Sequence, residues 1–395
     1  MSGRASLDNA AAKRYDAQRR FAERTMDDAA LMKEALRLAN RGRGAVEPNP
    51  LVGAVIARDG KVLARGYHHR FGAAHAEVDA LNNLPDPSAA VGATMYVTLE
   101  PCCHKGKTPP CTDAIIHAGI AEVVAATLDP NPRVSGRGRR ALRRAGVAVR
   151  VGVLQEEARY ANAPYFKLTR TGRPFVTVKW AMSLDGKIAT RAGRSRWISN
   201  ERARIFVHKL RAVSDAVVVG VNTVVADDPL LTARLFTPQR TQTRVVVDSK
   251  ASVPLKSAVV ATARETPTLV AVTAGAPREK QRALKNAGCK VVRFRQVGGR
   301  VSLKSLLDRL GRRRMTNVLV EGGGTLIASF LEGGLADRII CFLAPVVIGG
   351  ADAVTPVEGE GAETLKKATR ASLAEVRRLD DNLMLVFDLE MPYLE

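Results

Sequence analysis

The sequence predicts an α/β protein built from two domains. At 395 residues it is longer than one hydrophobic core usually organises. Strand-like and helix-like segments alternate along it, which implies sheets with helices on their faces. The alternation is interrupted at Thr171-Gly172-Arg173-Pro174, where turn formers separate a helix from a new apolar strand. The expected division is a polar N-terminal extension over 1–25, a first domain over 26–170 and a second over 171–395.

Composition is that of a soluble globular chain, with 46% hydrophobic and 25% charged residues and no low-complexity tract. No apolar run reaches the length of about 20 residues that a membrane-spanning helix needs. Residues 1–25 mix Arg, Lys, Asp and Glu and lack the apolar core of a secretory signal. Five cysteines, three of them within ten residues, read as metal binding in a reducing cytoplasm rather than a disulfide framework. The net charge of +22 is spread over both halves, +8 in residues 1–150 and +14 in 151–395. It fits a nucleic-acid binder, and equally an enzyme of phosphorylated small molecules. The run Arg137–Arg144 spaces its charges around an apolar stripe and reads as a solvated helix face.

In the first domain, Met26, Ala30, Leu31, Ala35, Leu36, Leu38 and Ala39 recur at helical spacing, with Asp27 and Asp28 near the start. Pro48-Asn49-Pro50 forces an extended turn. Strands over 51–57 and 61–67 are joined at Asp59-Gly60, a hairpin signal. Then follow a helix over 75–84, a strand over 95–99, a helix over 111–118, a strand over 121–127, a helix over 137–145, a strand over 147–151 and a helix over 155–170.

These elements place one group of side chains. His75 and Glu77 open one helix; Cys111, after Pro109-Pro110, opens another; Cys102 follows a strand. His plus two Cys leave a fourth tetrahedral position for water, the arrangement of a catalytic zinc site rather than a closed structural one. Such a site makes bound water nucleophilic near neutral pH, and Glu77 is placed to carry protons. The alternative, a closed site with Cys103 as fourth ligand, leaves Glu77 without a task. The pattern H-x-E with P-C…C is the signature of zinc deaminases. Here eight residues, not two, separate Cys102 from Cys111.

That long loop, together with Pro48-Asn49-Pro50-Leu-Val-Gly53, Gly66-Tyr-His68, Glu100-Pro101-Cys102 and Asp129-Pro-Asn131-Pro132, resembles the deaminase half of the bifunctional riboflavin-biosynthesis deaminase/reductase family. The resemblance implies a cytidine-deaminase-like α/β/α sandwich. It places Asn49, His68, His104, Lys107, Asp129 and Asn131 around the substrate, with Lys107 on the ribose phosphate.

In the second domain, strands are expected at 175–181, 215–220, 243–248, 268–273, 291–294, 317–320, 338–343 and 383–389. Helices are expected at 200–210, capped by Asn200, and near 278–287 and 301–310. The sum is a mainly parallel sheet with an antiparallel edge. Glu321-Gly-Gly-Gly-Thr325 sits between a strand and a helix, where backbone N–H groups form an anion site. It is not the dinucleotide fingerprint of a Rossmann fold.

Ser183-Leu-Asp185-Gly-Lys187, Ser195-Arg-Trp197, Ala226-Asp227-Asp228-Pro229, Val247-Asp248-Ser249 and Glu321–Thr325, in that order, are similar to the reductase half of the same family. This implies a dihydrofolate-reductase-like fold. NADPH is then expected against Met182, Trp197, Thr223, Asp227, Ser249 and Gly323, Gly324, Thr325, Leu326, Ile327, Ala328 and Ser329. The ribosyl substrate is expected at Ser195, Arg211, Leu231, Arg234 and Glu321, the two arginines suiting a phosphate.

The expected function is zinc-dependent deamination of a phosphoribosyl diaminopyrimidinone followed by NADPH-dependent reduction of its ribosyl chain to ribityl. Zinc, one ion per chain, and NADPH are the expected cofactors, and small molecules the partners, with no nucleic acid and no membrane. A cytoplasmic homo-oligomer is expected. Two rivals are a nucleic-acid-editing deaminase, which leaves the second half unexplained, and a zinc-stabilised NADPH-binding module without turnover.

Overall fold

The structure, a computed structural model, describes residues 28–105, 109–238 and 240–395. It divides into two compact units between Phe166 and Lys167. The extension 1–25, Met26 and Asp27 fall outside the described residues.

The first unit runs through α1 (28–39), β1 (Gly53–Arg58), β2 (Lys61–Tyr67), α2 (Ala76–Asn82), β3 (Thr94–Val97), α3 (Cys111–His117), β4 (Glu122–Ala125), α4 (Arg137–Arg144), β5 (Ala148–Val151) and α5 (Gln155–Ala161). Its five strands lie in the order β2-β1-β3-β4-β5. β1 is antiparallel to both β2 and β3, while β3, β4 and β5 run parallel. The Asp59-Gly60 hairpin forms as expected, with φ of 50° and 71°, the positive pair that a type I′ turn requires.

Alternate strand residues face opposite layers. Val55, Ala57, Tyr96, Val124 and Ala126 pack with Leu31, Met32, Ala35 and Leu36 of α1 and Ala158 of α5. α2 lies on the other face, where Gly66 admits it: a Cβ there would stand 2.2 Å from Ala80 N and 2.5 Å from Ala76 O. The arginines at 137, 140, 143 and 144 are exposed on α4, whose Gly138 and Leu142 turn inward, so the basic run is a solvated face. The helix expected over 155–170 is two helices, α5 and α6 (Ala163–Thr171), broken at Asn162. The Asn162 side chain instead exchanges two hydrogen bonds with the backbone of Leu51, fixing the chain just after Asn49.

The second unit contains β6 (Phe175–Met182), α7 (Glu201–Ala212), β7 (Ala216–Gly220), α8 (Val221–Asp227), β8 (Thr243–Val247), α9 (Ala258–Ala261), β9 (Thr268–Val272), α10 (Arg278–Asn286), β10 (Lys290–Arg293), the short hairpin β11 (Gln296–Val297) and β12 (Arg300–Val301), α11 (Leu303–Arg312), β13 (Asn317–Val320), α12 (Gly324–Glu332), β14 (Arg338–Leu343), β15 (Ser372–Leu379) and β16 (Asn382–Asp388). Nine strands form one sheet in the order β10-β9-β8-β7-β13-β6-β14-β16-β15. The first seven are parallel and the last two antiparallel. Val217 and Val219 face one core while Ala216 and Val218 face the other, so the sheet is buried on both sides there. Asn200 caps α7 through its side chain, as expected. α8 and β15 were not expected. α8 is rich in valine, which favours strands, and β15 is exposed at seven of its eight positions, so it shows no alternation.

Replacing Gly66 by Ala drives a methyl into the α2 backbone. It should cost about 1–3 kcal/mol of stability and displace the helix that follows His75. Zinc retained after dialysis should fall below wild type; unchanged retention would show that α2 absorbs the methyl without moving.

Candidate active sites

The first site forms where three chain segments meet. His75 is the N-cap residue of α2, Cys111 begins α3, and Cys102 lies in the loop after β3. His75 Nδ1 is 3.5 Å from Cys102 Sγ and 3.3 Å from Cys111 Sγ. Tetrahedral zinc with its usual bond lengths requires N···S separations of about 3.5 Å. The donor set therefore fits zinc without rearrangement. All three ligand atoms lie within 4.8 Å of one another, and Cys103 is not part of this group. The Cys111 N–H also points at Cys102 Sγ, at 3.4 Å. Together with the adjacent Cys111 thiol and His75, it holds Cys102 well below the ordinary thiol range, so a thiolate is favoured for a cation to bind.

Glu77 is buried in the first turn of α2, and that burial, followed by the negative charge of Cys102, pushes its carboxyl up to about 7. A carboxyl balanced between its two forms near neutrality suits proton transfer. Glu100 positions the cysteine loop: its carboxylate accepts N–H groups of Gly136 at 2.8 Å and Arg139 at 2.9 Å, capping α4. Gly138 completes this fit, since a Cβ there would stand 2.1 Å from Pro101 O.

The residues expected around the substrate divide. His68 donates through Nδ1 to Ala74 O (2.8 Å), leaving Nε2 to accept from the Asn49 amide (3.2 Å). Its ring stands edge-on to His75, with centroids 5.3 Å apart. Asn49 and His68 thus reach the zinc group. Buried Asp129 accepts from Asn131 N and Tyr165 Oη at 2.8 and 2.9 Å, and burial pushes its carboxyl up to about 6. His104 is exposed in the cysteine loop. Lys107 lies outside the described residues.

In the second unit the expected residues gather at the carboxyl ends of the parallel strands, the position ligands take in open α/β sheets. Met182 ends β6, Thr223 and Asp227 lie on α8 after β7, Ser249 follows β8, and Glu321 follows β13. Thr223 Oγ1 accepts from Gly323 N (3.1 Å), and Ser195 Oγ donates to Asp227 Oδ1 (3.2 Å). Ser249 Oγ accepts from Val301 N (3.1 Å). Glycines 322–324 bring no side chains of their own to the start of α12, where unpaired N–H groups favour an anion, but the Glu358 side chain packs against Gly324 and its carboxylate accepts from Thr325 Oγ1. The rest of the expected stretch, Thr325 to Ser329, forms the first turns of α12. Trp197 is 70% exposed, with the guanidinium groups of Arg204 and Arg196 at 4.8 and 5.9 Å from its ring. Asp185 spends its carboxylate on Ser183 Oγ and the N–H groups of Ile348 and Gly349, a loop clasp.

Arg211 grips Glu321 bidentately, at 2.6 and 2.9 Å. Burial opposes ionisation of Glu321, but the charge and hydrogen bonds of Arg211, with Lys179, outweigh it and hold the carboxyl below its ordinary value. Lys179, on β6, was missed in the sequence. Its signal was a lone cation in an apolar central strand, where lysine is rarely buried unpaired. His208 was missed as well; it stands one turn before Arg211 on α7, buried and subject to the charges of Arg211, Arg234 and Glu321.

These two sites define a zinc-dependent deaminase joined to a reductase. Residues 25–127 match the family model for the cytidine and deoxycytidylate deaminase zinc-binding region, and residues 174–385 match the RibD C-terminal domain. The riboflavin biosynthesis protein RibD of Actinobacillus pleuropneumoniae is 41% identical over 93% of this chain and 97% of its own. That of Escherichia coli is 39% identical over 91% and 99%. Among solved structures, RibD of Acinetobacter baumannii superposes with a TM-score of 0.81 at 35% identity, covering 93% of this chain and 99% of that one. The deaminase/reductase of Thermotoga maritima gives 0.81 at 34% identity over the same shares. The chain belongs to the RibD family. Zinc and NADPH are accordingly its cofactors.

Arg211→Ala leaves Glu321 a buried charge without its main partner, which should destabilise the second unit by about 3–5 kcal/mol at neutral pH. Both tryptophans, Trp180 and Trp197, lie in that unit, so fluorescence-detected urea unfolding of the full chain reads it. Because the folded carboxyl is depressed, its stabilisation is present above the unfolded value of 4.5 and lost as pH falls through the folded one. The gap between wild type and variant should therefore narrow below pH 4.5.

Proposed function

We propose that this chain performs two consecutive steps on one phosphoribosyl pyrimidine. It first hydrolyses the amino group of 2,5-diamino-6-(5-phosphoribosylamino)pyrimidin-4-one, taking up water and releasing ammonia. It then reduces the ribosyl chain of 5-amino-6-(5-phosphoribosylamino)uracil to ribityl, consuming NADPH and a proton. The observation that carries this reading is the convergence of His75, Cys102 and Cys111 at zinc distances with buried Glu77 beside them.

When bound, zinc supplies an activated water and NADPH a hydride. Glu77 takes the proton of the attacking water and returns it to the departing amine. His68 and Asn49, joined by their hydrogen bond, hold the pyrimidine beside the metal, and Asp129 and Asn131 form the wall of that pocket with exposed His104. Lys107 meets the ribose phosphate. In the reductase, Met182, Trp197, Thr223, Asp227, Ser249 and the 323–329 segment hold the cofactor. Ser195, Leu231 and Glu321 contact the substrate, and Arg211 and Arg234 hold its phosphate.

We take the partners to be small molecules, with no nucleic acid and no membrane. No helix among the described residues is long and apolar enough to cross a membrane. Free cysteines support a reducing, cytoplasmic setting. The edge strand β15, with Leu373 and Val376 open on it, supports a homo-oligomer.

Supplying the diaminopyrimidinone and following ammonia and NADPH separates the steps. Glu77→Gln should cut ammonia release by about 10²–10⁴-fold with zinc still bound, while the deaminated substrate still consumes NADPH. Undiminished deamination would remove Glu77 from its role; absence of both signals in the wild type would sink the assignment.

A further inference from the structure

The loop between α8 and β8 carries Leu231 and Arg234, and its backbone is held in an unusual way. Leu231 is buried with φ of 56°, the left-handed region that a γ-branched residue enters only under constraint. Three consecutive carbonyls, 230–232, are each taken by a side chain ten or more residues away along the chain. Arg244 Nη1 donates to Leu230 O (3.2 Å), Gln242 Nε2 to Leu231 O (3.0 Å), and Arg211 Nη1 to Thr232 O (3.3 Å). The buried His208 ring, one turn before Arg211 on α7, also faces the backbone of Thr232.

These anchors are costly to keep. Arg244 is fully buried, and it donates to neutral oxygens of the loop, α9 and the start of β9. Among the described residues, Gln242 Oε1 and His208 Nδ1 are buried with no hydrogen-bond partner. A polar group with an orphaned atom is a poor way to fill a core. All of these groups converge on one three-residue segment. That segment ends two residues before Arg234, whose charge reaches His208.

We propose that Gln242, Arg244 and His208 are positioning residues that clamp carbonyls 230–232, set the placement of Arg234, and thereby determine how tightly the reductase holds the substrate's phosphate. The proposal rests on the reading of Arg234 as a phosphate contact. Arg211 joins the clamp to Glu321, since one guanidinium serves both Thr232 O and that carboxylate.

The test is steady-state kinetics of the full-length enzyme with 5-amino-6-(5-phosphoribosylamino)uracil and with its dephosphorylated form. Arg234→Ala first checks the underlying reading: KM for the phosphorylated substrate should rise and the preference for phosphate shrink. Gln242→Leu and His208→Leu should raise that KM by about tenfold or more, leaving kcat, KM for NADPH and zinc-dependent deamination near wild type. The dephosphorylated substrate should be little affected. His208→Gln, whose amide can still donate to Thr232 O, should restore KM. If Arg234→Ala raises KM and the two leucine variants do not, the clamp is overturned. Equal loss in His208→Leu and His208→Gln, with kcat and both KM values impaired and thermal stability lowered, would reduce it to a fold requirement. If Arg234→Ala changes nothing, the phosphate reading has failed and the clamp falls with it.

Discussion

In a parallel β-α arrangement, the carboxyl end of a strand lies at the same edge as the N-terminus of the helix that follows it. Both units of this chain depend on that constraint. In the first, the end of β3 delivers Cys102 to the edge where α2 and α3 begin with His75 and Cys111. In the second, the ends of β6, β7, β8 and β13 deliver Met182, the start of α8, Ser249 and Glu321 to one edge of the sheet. Helix starts offer unpaired N–H groups and partial positive charge. A metal-binding thiolate and a phosphorylated cofactor are both negative, so the same edge geometry suits a metal site in one unit and an anion site in the other.

Close packing then converts topology into distances. Gly66 brings α2 onto β2 without a side chain between them, and Gly138 does the same for α4 against Pro101. Glu100 adds hydrogen bonds where Gly138 removes bulk, so the backbone just before Cys102 is held from two directions. Charge in the second unit follows a different rule. Arg211 and Glu321 neutralise each other, whereas Arg244 is surrounded by neutral carbonyl and hydroxyl oxygens. Burying a paired charge can be close to neutral for stability, while an unpaired one is expensive. The uncompensated guanidinium is therefore where a role beyond stability is most readily sought.

How much of this could be read in the sequence varied with the kind of constraint. Zinc chemistry demands particular residue types at short spacings, so His75, Glu77, Cys102 and Cys111 were legible. Asp59-Gly60 was legible because few residue pairs tolerate two positive φ values. The break at Asn162 was legible only in part: Pro164, two residues on, signals a new helix start, whereas the bonds of the Asn162 side chain to the distant backbone of Leu51 leave no local trace. β15 gave no signal because an edge strand open on both faces has no apolar alternation to show. Lys179 carried a local signal, a lone cation in an apolar strand, whereas nothing local marks His208 as buried. Only the fold brings them beside Glu321 and Arg211.

The two chemistries also differ in how far a site can be local. Deamination draws its metal group from three segments within residues 75–111. Hydride transfer requires a cofactor and a ribosyl chain to be aligned along an extended edge, so the residues expected to serve it are spread over strand ends between 182 and 329. A motif can announce the first kind of site. The second is spread too widely for any one motif, and is recognised only from several weak segments occurring in a fixed order. In a bifunctional deaminase and reductase of riboflavin biosynthesis, the zinc group therefore establishes the reaction class of the first half. The ordered glycine, serine and arginine segments of the second half give the enzyme its particular identity.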